Sequence, residues 1–246
     1  MTRLTWLGHA TVLVELGGVR LLTDPVLRSR VVHLRRQGPA PGPLGRIDAV
    51  LVSHLHYDHL DLPSLRMLPS KPRLVCPSGA GDFLARAGFP GAEEVSPGDS
   101  VEIGAVRVEP TPAEHDGTRR PGGPVARPVG FRLWGEHSVY FAGDTDLFDG
   151  MADLGPVDVA LLPVAGWSPK LGPGHMDAER AARAVALLRP HVAVPIHWGT
   201  LHPRTRARGS WFTDPPREFA AQVERLAPEV DVRLLSPGES LELEPA

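Results

Sequence analysis

The sequence contains very little cysteine and very little lysine. Cys76 is the only cysteine among 246 residues, so neither an intrachain disulfide nor a metal site built from several thiolates can form. Lysine occurs only at Lys71 and Lys170, whereas arginine is abundant, and this bias reduces the functional weight of clustered arginines. A metal ion held by this chain must therefore have histidine and carboxylate ligands.

Long apolar runs are also absent from the sequence. No stretch approaches the roughly 18 apolar residues of a membrane helix, and the first residues lack the charged, apolar and small-residue sections of a signal peptide. We therefore expect a cytoplasmic protein without a transmembrane segment. The net charge of -3 gives no general electrostatic reason to bind nucleic acid, so no nucleic-acid partner is expected.

What is present is the composition of an ordinary globular protein. Hydrophobic residues make up 42% of the chain and charged residues 22%, close to the averages of folded domains. A length of 246 residues suits one α/β body with a large core. We therefore predict a single domain over residues 1–246.

Short β-type runs bounded by turn residues recur along the chain. The run at 48–53 is apolar in its middle, as in a strand buried on both faces, and it ends at a group of histidines. Ligands usually bind at such strand ends in α/β sheets. Other strands are predicted at residues 4–7, 11–16, 19–23, 73–76, 106–110, 130–133, 138–142, 157–162, 191–195 and 232–235.

Two helices are predicted in the C-terminal part of the chain. The first begins after Asp177, a good N-cap, and ends before Pro190. The second is capped by Asp214 and begins with Pro215. Its buried face is predicted to carry Phe219, Val223 and Leu226. Many strands with few helices favour two β layers covered by helices.

Three imidazoles and one carboxylate occur within six residues directly after the strand predicted at 48–53. They are His54, His56, Asp58 and His59. His54 and His56 are two residues apart, so in an extended segment both side chains point the same way and can bind one metal ion. Asp58 and His59 follow at the turn into a helix, where they can face a second ion. Because imidazole and carboxylate suit zinc and similar divalent metals, the spacing predicts two neighbouring ions.

This segment resembles the signature of the metallo-β-lactamase superfamily, and further residues fall in the order that the family requires. The family's early aspartate resembles Asp24 in Leu-Leu-Thr-Asp-Pro, and its third-motif histidine resembles His115 in Thr-Pro-Ala-Glu-His. Its bridging carboxylate resembles Asp144 in Phe-Ala-Gly-Asp-Thr, and its last histidine resembles His197 in Pro-Ile-His-Trp-Gly-Thr. The resemblance covers most of the chain and implies the four-layer αββα sandwich of that family.

The resemblance also implies a set of metal ligands. The first metal is assigned to His54, His56 and His115, the second to Asp58, His59 and His197, and Asp144 bridges both. Two divalent ions that share a water lower its pKa from ~15.7 toward ~7, so a hydroxide nucleophile is expected at neutral pH. We expect zinc ions, with manganese or iron as alternatives.

Within the superfamily, the sequence is most similar to the branch that contains N-acylphosphatidylethanolamine-hydrolysing phospholipase D and L-ascorbate-6-phosphate lactonase. This resemblance is carried by residues 5–15, 22–25, 47–54 and 196–200. The phospholipase usually has an aromatic residue and basic residues directly after the third-motif histidine, where this chain has Asp116 and Gly117. We predict hydrolysis of an ester-type bond in a small-molecule or lipid-like substrate, with a phosphodiester first and a lactone or other carboxylic ester second.

Two aspartates have further predicted roles. Asp58 is expected to orient the hydroxide or to take its proton, in addition to binding a metal ion. Asp24 is expected to fix a ligand imidazole through the second ring nitrogen of that imidazole, or else to be a simple turn residue before Pro25.

Three residues are candidates for contact with the substrate. His175 precedes the helix predicted after Asp177 and resembles a histidine near the phospholipase active site, so it is either a substrate contact or leaving-group acid, or a surface residue. His9 either faces the site or fills a turn. Trp198 either walls an apolar pocket, together with other tryptophans such as Trp167, or belongs to the core.

Arginines flank two of the candidate ligands in sequence. They are Arg119, Arg120, Arg127, Arg204, Arg206 and Arg208. These side chains either contact an anionic substrate or lie in solvated loops.

Two other functional classes are open alternatives to a hydrolase. An iron-dependent oxidoreductase of the same fold is one, but its diiron members usually have glutamate where this chain has His56. A non-catalytic binding module is the other, but it would predict broken ligand positions, and none is broken. The oligomeric state is left open, with a homo-oligomer as one alternative.

Overall fold

The chain forms two large β-sheets and a small third one, which the computed structural model describes over residues 1–166, 171–204 and 209–244. The strands in chain order are β1 Thr2–Gly8, β2 Thr11–Leu16, β3 Val19–Thr23, β4 Arg30–Val31, β5 Leu34–Arg36, β6 Ala49–Leu51, β7 Arg73–Pro77, β8 Glu93–Val95, β9 Val101–Ile103, β10 Val106–Pro112, β11 Val129–Trp134, β12 Ser138–Phe141, β13 Val159–Pro163, β14 Val192–Ile196, β15 Leu201–Pro203, β16 Asp231–Val232 and β17 Ser240–Leu243. The α-helices are α1 Leu62–Arg66, α2 Gly81–Arg86, α3 Ala178–Leu188, α4 Ser210–Thr213 and α5 Pro215–Leu226, and a 3-10 helix spans Asp149–Leu154.

The two large sheets have seven strands each. The first sheet has the order β17-β1-β2-β3-β6-β7-β8, and the second has the order β16-β14-β13-β12-β11-β10-β9. The third sheet has the order β15-β5-β4. Strands β3, β6 and β7 run parallel, and so do β12, β13 and β14. The carboxyl ends of these strands therefore lie at one edge of each sheet, where loops are free to carry functional side chains.

An apolar layer fills the space between the two large sheets. Along β2, Val12 and Val14 belong to this layer, whereas Leu13 lies on the outer face, as the alternation of side chains in a strand requires. Trp6 and Phe131 are fully buried in the layer, and burial of such a side chain contributes roughly 1.5–3 kcal/mol.

Helices cover the outer faces of both sheets. Helices α1 and α2 pack on the first sheet through Leu65 and Leu84. Helices α3 and α5 pack on the second sheet through Val185 and Phe219. The order helix, sheet, sheet, helix confirms the predicted four-layer αββα sandwich.

The strand predicted at 48–53 is shorter than expected. It is confined to Ala49–Leu51, because the backbone N–H of Ser53 donates to Asp24 Oδ1 at 2.7 Å instead of joining the sheet. The strand predicted at 232–235 contains only Asp231–Val232. The other predicted strands are present with small shifts of their ends.

Both predicted helices exist, but their details differ from the prediction. Asp177 caps α3 as predicted, since its side chain accepts from the backbone N–H of Arg180 at 2.9 Å. Asp214 occupies the N-cap position of α5 and Pro215 begins the helix, as predicted, but the Asp214 side chain makes no cap bond, because α4 runs directly into Asp214 and gives it a helical backbone. Leu226 is also 44% exposed rather than buried, since it lies in the last turn of α5. Among the described residues, no helix has the length and apolar character needed to cross a membrane.

Candidate metal centre

The seven predicted metal ligands all lie in loops at the same edge of the two large sheets. The loop between β6 and α1 carries His54, His56, Asp58 and His59. The second sheet contributes His115 after β10, Asp144 after β12 and His197 directly after β14. Residues that are far apart in sequence therefore meet between the two sheets.

Three histidines form the first group, which we call the three-histidine cluster: His54, His56 and His115. One ring nitrogen of each lies within 4.8 Å of the others. His115 Nε2 is 3.0 Å from His56 Nδ1.

The tautomer of His54 follows from its neighbours. Ser53 Oγ donates its only proton to Asp24 Oδ2, so it must accept the hydrogen bond from His54 Nδ1 at 3.0 Å. His54 Nε2 is then left without a proton. This nitrogen is buried and has no hydrogen-bond partner, as expected of a nitrogen that awaits a metal ion.

A second group contains one carboxylate and two imidazoles, and we call it the mixed cluster: Asp58, His59 and His197. His59 Nε2 lies 3.2 Å from His197 Nε2 and 3.6 Å from Asp58 Oδ2. Asp58 Oδ2 lies 3.7 Å from His197 Nε2. All three side chains are buried, and their ligand atoms therefore face a common point shielded from bulk water.

Each side chain of the mixed cluster is held from behind by another group. Asp24 Oδ2 accepts from His59 Nδ1 at 2.7 Å, which is the first of the two alternatives predicted for Asp24. The carbonyl of Ala165 accepts from His197 Nδ1 at 2.8 Å. His9 Nε2 lies 2.8 Å from Asp58 Oδ2. Partners of this kind fix the orientation of a ligand and leave its other atom free for a metal ion.

Asp144 lies between the two clusters. Its Oδ2 is 3.2 Å from His59 Nε2, and its Oδ1 is 3.3 Å from His197 Nε2. One of its oxygens is also within 4.8 Å of a ring nitrogen of His115. Asp144 therefore reaches both clusters, which is the position that a bridging carboxylate requires.

Burial controls the protonation of the three-histidine cluster. Removal from water lowers the pKa of His54 well below its ordinary value, and nearby His59 lowers it further. Burial likewise lowers the pKa of His56, and it lowers the pKa of His115 to about 4. These imidazoles are therefore neutral at pH 7, the form that binds metal ions.

In the mixed cluster, carboxylates raise the pKa values of the histidines instead. Burial lowers the pKa of His59, but the negative charge of Asp144, followed by that of Asp58, raises this pKa well above its ordinary value. Burial is outweighed in the same way at His197, where Asp144 raises the pKa to about 9. Burial raises the pKa of Asp58 and Asp144, but the neighbouring histidines hold both well below the ordinary value.

Three residues of the site have a left-handed backbone, which side chains other than glycine rarely adopt. The φ angles are 57° at His9, 33° at Asp24 and 63° at His197. Each such residue costs on the order of 1–3 kcal/mol and persists only where its surroundings hold it. The carbonyl of His9 accepts from the N–H of His197 at 2.9 Å, which connects two of these three positions.

His9 and Trp198 lie behind the site. His9 is 2% exposed, its ring centroid is 3.9 Å from that of His197, and burial followed by the influence of His197 lowers its pKa to about 3. Trp198 stacks on Trp6 at a centroid distance of 5.0 Å and packs against the apolar layer between the sheets. Neither side chain is among the described residues that line the adjoining cavity.

A cavity of about 410 Å³ opens beside the two clusters. The described residues that line it are His33, His56, Tyr57, Asp58, Arg119, Asp144, Gly166, Leu171, Gly172, His175 and His197. His175 is thus at the cavity, where its Nε2 lies 3.6 Å from Asp144 Oδ2 and its ring makes an edge contact with His115 at 4.7 Å.

Sequence reasoning missed several residues of the cavity wall. Tyr57 lies inside the histidine motif, so its position in sequence could have found it. His33 matches no motif, but it belongs to the turn between β4 and β5, which the third sheet places beside the cavity. No local pattern indicates that placement.

The arginines that flank the candidate ligands in sequence differ in their exposure to solvent. Arg119 is only 8% exposed and lines the cavity. Arg120, Arg127 and Arg204 are exposed. Arg206, Arg208 and Trp167 lie outside the described residues.

Unpaired buried atoms provide a test of whether these residues suit metal ions. His54 Nε2, Asp58 Oδ1 and Asp144 Oδ1 are buried without a hydrogen-bond partner. Each buried polar atom left unpaired costs about 1–3 kcal/mol. Divalent cations would satisfy all three atoms, and nitrogen and carboxylate oxygen are donors that zinc and similar ions accept. The residues therefore fit metal ions.

The chain is similar in sequence to known proteins. Residues 19–198 match the family model of the beta-lactamase superfamily domain. The chain is 36% identical over 247 residues to a UPF0173 metal-dependent hydrolase of Methanopyrus kandleri, covering 98% of this chain and 99% of the relative. It is 32% identical over 231 residues to an N-acyl-phosphatidylethanolamine-hydrolyzing phospholipase D 1 of Caenorhabditis elegans, covering 80% of this chain and 63% of the relative.

The fold is likewise similar to that of solved structures. A metallo hydrolase from the archaeon Ignicoccus hospitalis has a TM-score of 0.74 and 29% identity, with 99% of each chain covered. The family match covers more than half of the chain, and the relatives and the ligand geometry agree with it. The chain therefore belongs to the metallo-β-lactamase superfamily and is a metal-dependent hydrolase of that superfamily.

Proposed function

We propose that the chain is a binuclear metal-dependent hydrolase that cleaves an ester-type bond, with a phosphodiester as the first substrate class. The observation that carries this proposal is the position of Asp144, which reaches the mixed cluster at 3.2 and 3.3 Å and also lies near His115. We propose His54, His56 and His115 as ligands of one ion, Asp58, His59 and His197 as ligands of the other, and Asp144 as a ligand of both.

The donor set favours zinc, with manganese and iron as alternatives. Five imidazoles and two carboxylates give nitrogen and oxygen donors without any thiolate. When bound, two such ions lower the pKa of a shared water and polarise the oxygen of the scissile group.

The chain's own side chains then orient and move protons. Asp58 is a carboxylate over the working pH range, because the charge of His59, the nearby His197 and the hydrogen bond from His9 outweigh the effect of burial on its pKa. Its Oδ2 lies 2.8 Å from His9 Nε2, and its carboxylate lines the cavity, a position that suits orienting the attacking water or taking its proton. His175 lines the cavity beside Asp144, a position that suits contact with the substrate or protonation of the leaving group.

Two observations rank the candidate types of bond that the enzyme would cleave. The phospholipase D relative at 32% identity supports a phosphodiester. Asp116 and Gly117, in place of the aromatic and basic residues usual in the phospholipase, favour a lactone or other carboxylic ester as the second candidate. A cytoplasmic location and the lack of a nucleic-acid partner stay predictions from the sequence.

Metal content and turnover test this proposal together. We would measure bound metals by mass spectrometry, and turnover of bis(p-nitrophenyl) phosphate and of a simple lactone, for the wild type and for His54→Ala. His191→Ala is a matched control, since the side chain of His191 is 83% exposed. About two zinc or manganese ions per chain, with hydrolysis lost only in His54→Ala, support the proposal. Bound iron without hydrolysis of either substrate, or a metal-free protein indifferent to the substitution, contradicts it.

A further inference from the structure

Arg119 connects the loops that carry ligands from the two sheets. It follows His115 in the loop after β10, which belongs to the second sheet. Its Nη1 donates to the backbone carbonyl of Leu55 and, at 3.1 Å, to that of Leu60. These two carbonyls flank residues 56–59 of the ligand loop that follows β6 in the first sheet.

The charge of Arg119 has no carboxylate partner among the described residues. The nearest candidates are already engaged, since Asp61 pairs with Arg28 at 2.7 Å and Asp58 pairs with His9 at 2.8 Å. The guanidinium instead faces the rings of Tyr57 at 4.2 Å and Phe83 at 5.0 Å. Burial lowers its pKa, but a guanidinium keeps its proton in proteins, so a buried positive charge remains.

A comparison with Arg36, another buried arginine, shows what is unusual about Arg119. All three guanidinium nitrogens of Arg36 donate to backbone carbonyls: Nε to Arg28, Nη1 to Leu7 and Nη2 to Val26. In Arg119 the bonds to carbonyls use Nη1 alone, and the side chain lines the cavity beside the candidate metal centre. The Tyr57 hydroxyl is a further hydrogen-bonding neighbour of the Arg119 guanidinium. Because buried charges are normally paired with an opposite charge, Arg119 can still bind an anion where the substrate would lie.

We infer that Arg119 is the specificity-determining residue of the cavity and binds the negatively charged oxygen of a phosphate ester. Arginine suits this role, because its planar fork of N–H donors matches phosphate oxygens. The inference rests on the proposed function and adds the class of substrate, an anionic ester in preference to a neutral one. It also distinguishes Arg119 from its exposed neighbour Arg120.

Arg119→Gln tests the inference, with Arg120→Gln as a control of equal charge change. We would measure kinetics on anionic bis(p-nitrophenyl) phosphate and on neutral p-nitrophenyl acetate, together with metal content. Arg119→Gln is expected to raise the KM for the anionic ester about tenfold to a hundredfold, and to change the KM for the neutral ester less than about twofold, with the metal content kept. Arg119→Lys, which retains the charge and a donor for the loop, is expected to fall between Arg119→Gln and the wild type.

Calorimetric binding of dimethyl phosphate separates this inference from the proposed function, because it needs no turnover. Weaker binding in Arg119→Gln alone supports the inference even if the wild type hydrolyses no phosphodiester, a result that would contradict only the proposed function. Equal losses on both esters with loss of metal would show that Arg119 only holds the ligand loop, and would overturn the inference. Unchanged kinetics and binding in both glutamine variants would overturn it as well.

Discussion

The three-histidine cluster and the mixed cluster lie side by side, yet they differ in charge and in how their ligands are held. Burial keeps the imidazoles of the first neutral, and His56 and His115 are only partly buried. In the second, all three ligands are buried, and carboxylates keep His59 and His197 protonated at pH 7 in the metal-free protein.

The supporting groups differ in the same way. In the three-histidine cluster, His115 is held by the carbonyl of Gly174 at 2.7 Å and His54 by a hydroxyl. In the mixed cluster, two ligands are held by charged or ionisable side chains, Asp24 and His9. Imidazoles in one site thus acquire opposite protonation states, because carboxylates outweigh the effect of burial on the pKa only in the mixed cluster.

The largest effect is expected from Asp144→Ala, which removes the group common to both clusters. Turnover should fall about a thousandfold or more, because a missing metal ion removes several kcal/mol of transition-state stabilisation. Steady-state kinetics and metal analysis measure the change. Asp146→Asn is the control, since Asp146 pairs with Arg180 at 2.6 Å. Two retained metal ions and near-normal turnover in Asp144→Ala would show that Asp144 is not a ligand that the two clusters share.

The pH dependence of metal binding should differ between the clusters. The imidazoles of the three-histidine cluster are already neutral at pH 7, so the first ion binds without proton release. His59 and His197 must each lose a proton, since the pKa of His197 is raised to about 9 and that of His59 is raised well above its ordinary value. Affinity of the mixed cluster should therefore rise with pH below 9, by up to about a hundredfold per unit when two protons are released.

Calorimetric metal titrations in buffers of different ionisation enthalpy count these protons. The titrations at pH 6, 7 and 8 should show a nearly constant affinity for one ion and a rising affinity for the other. Equal proton release at both steps would show that the two clusters do not differ in protonation.

Asp24→Asn should weaken the mixed cluster selectively. The amide keeps an acceptor and tolerates the left-handed backbone at this position, but it removes the negative charge beside His59. Loss of such a supporting partner typically costs about 10–100-fold in metal affinity. Competition with a chelator measures both affinities, and Asp82→Asn is the control, since the side chain of Asp82 in α2 is 94% exposed. Equal weakening of both ions, or of neither, would contradict a selective role of Asp24.

The smallest effect is expected from His9→Asn, which removes the partner of Asp58 but tolerates the left-handed backbone. We expect kcat to fall about tenfold, with KM and metal content little changed, because Asp58 loses its fixed orientation. His202→Asn, outside the cavity, is the control. A raised KM with an unchanged kcat would instead support the alternative that His9 contacts the substrate.

The sequence predicted well which residues meet at the edge of the sheets, because each follows a strand with a clear apolar pattern, whereas their binding of metal ions stays a prediction. A strand end fixes where a side chain lies, so motifs in distant loops could be placed at one edge. The same reasoning failed for the third sheet, since β4, β5 and β15 have only two or three residues and show no periodicity. His33 was missed for that reason.

Contacts between distant segments explain the other residues whose roles the sequence did not predict. The role of His9 depends on Asp58, 49 residues further along the chain, and no local pattern links them. The burial of Arg119 depends on carbonyls of another loop, so its sequence context resembled that of an ordinary solvated loop. Asp214 had the residue type of a helix cap, but α4 had already set its backbone.

Each cluster is assembled from both large sheets, so metal binding is coupled to the stability of the folded chain. His115 and His197 come from the second sheet, and the other cluster members come from the first. An ion bound in either cluster would join the two halves of the sandwich. An ion that binds only the native state, present at a hundred times its Kd, adds about 2.7 kcal/mol to stability. The supply of metal would then determine the stability of the folded protein as well as its rate of turnover.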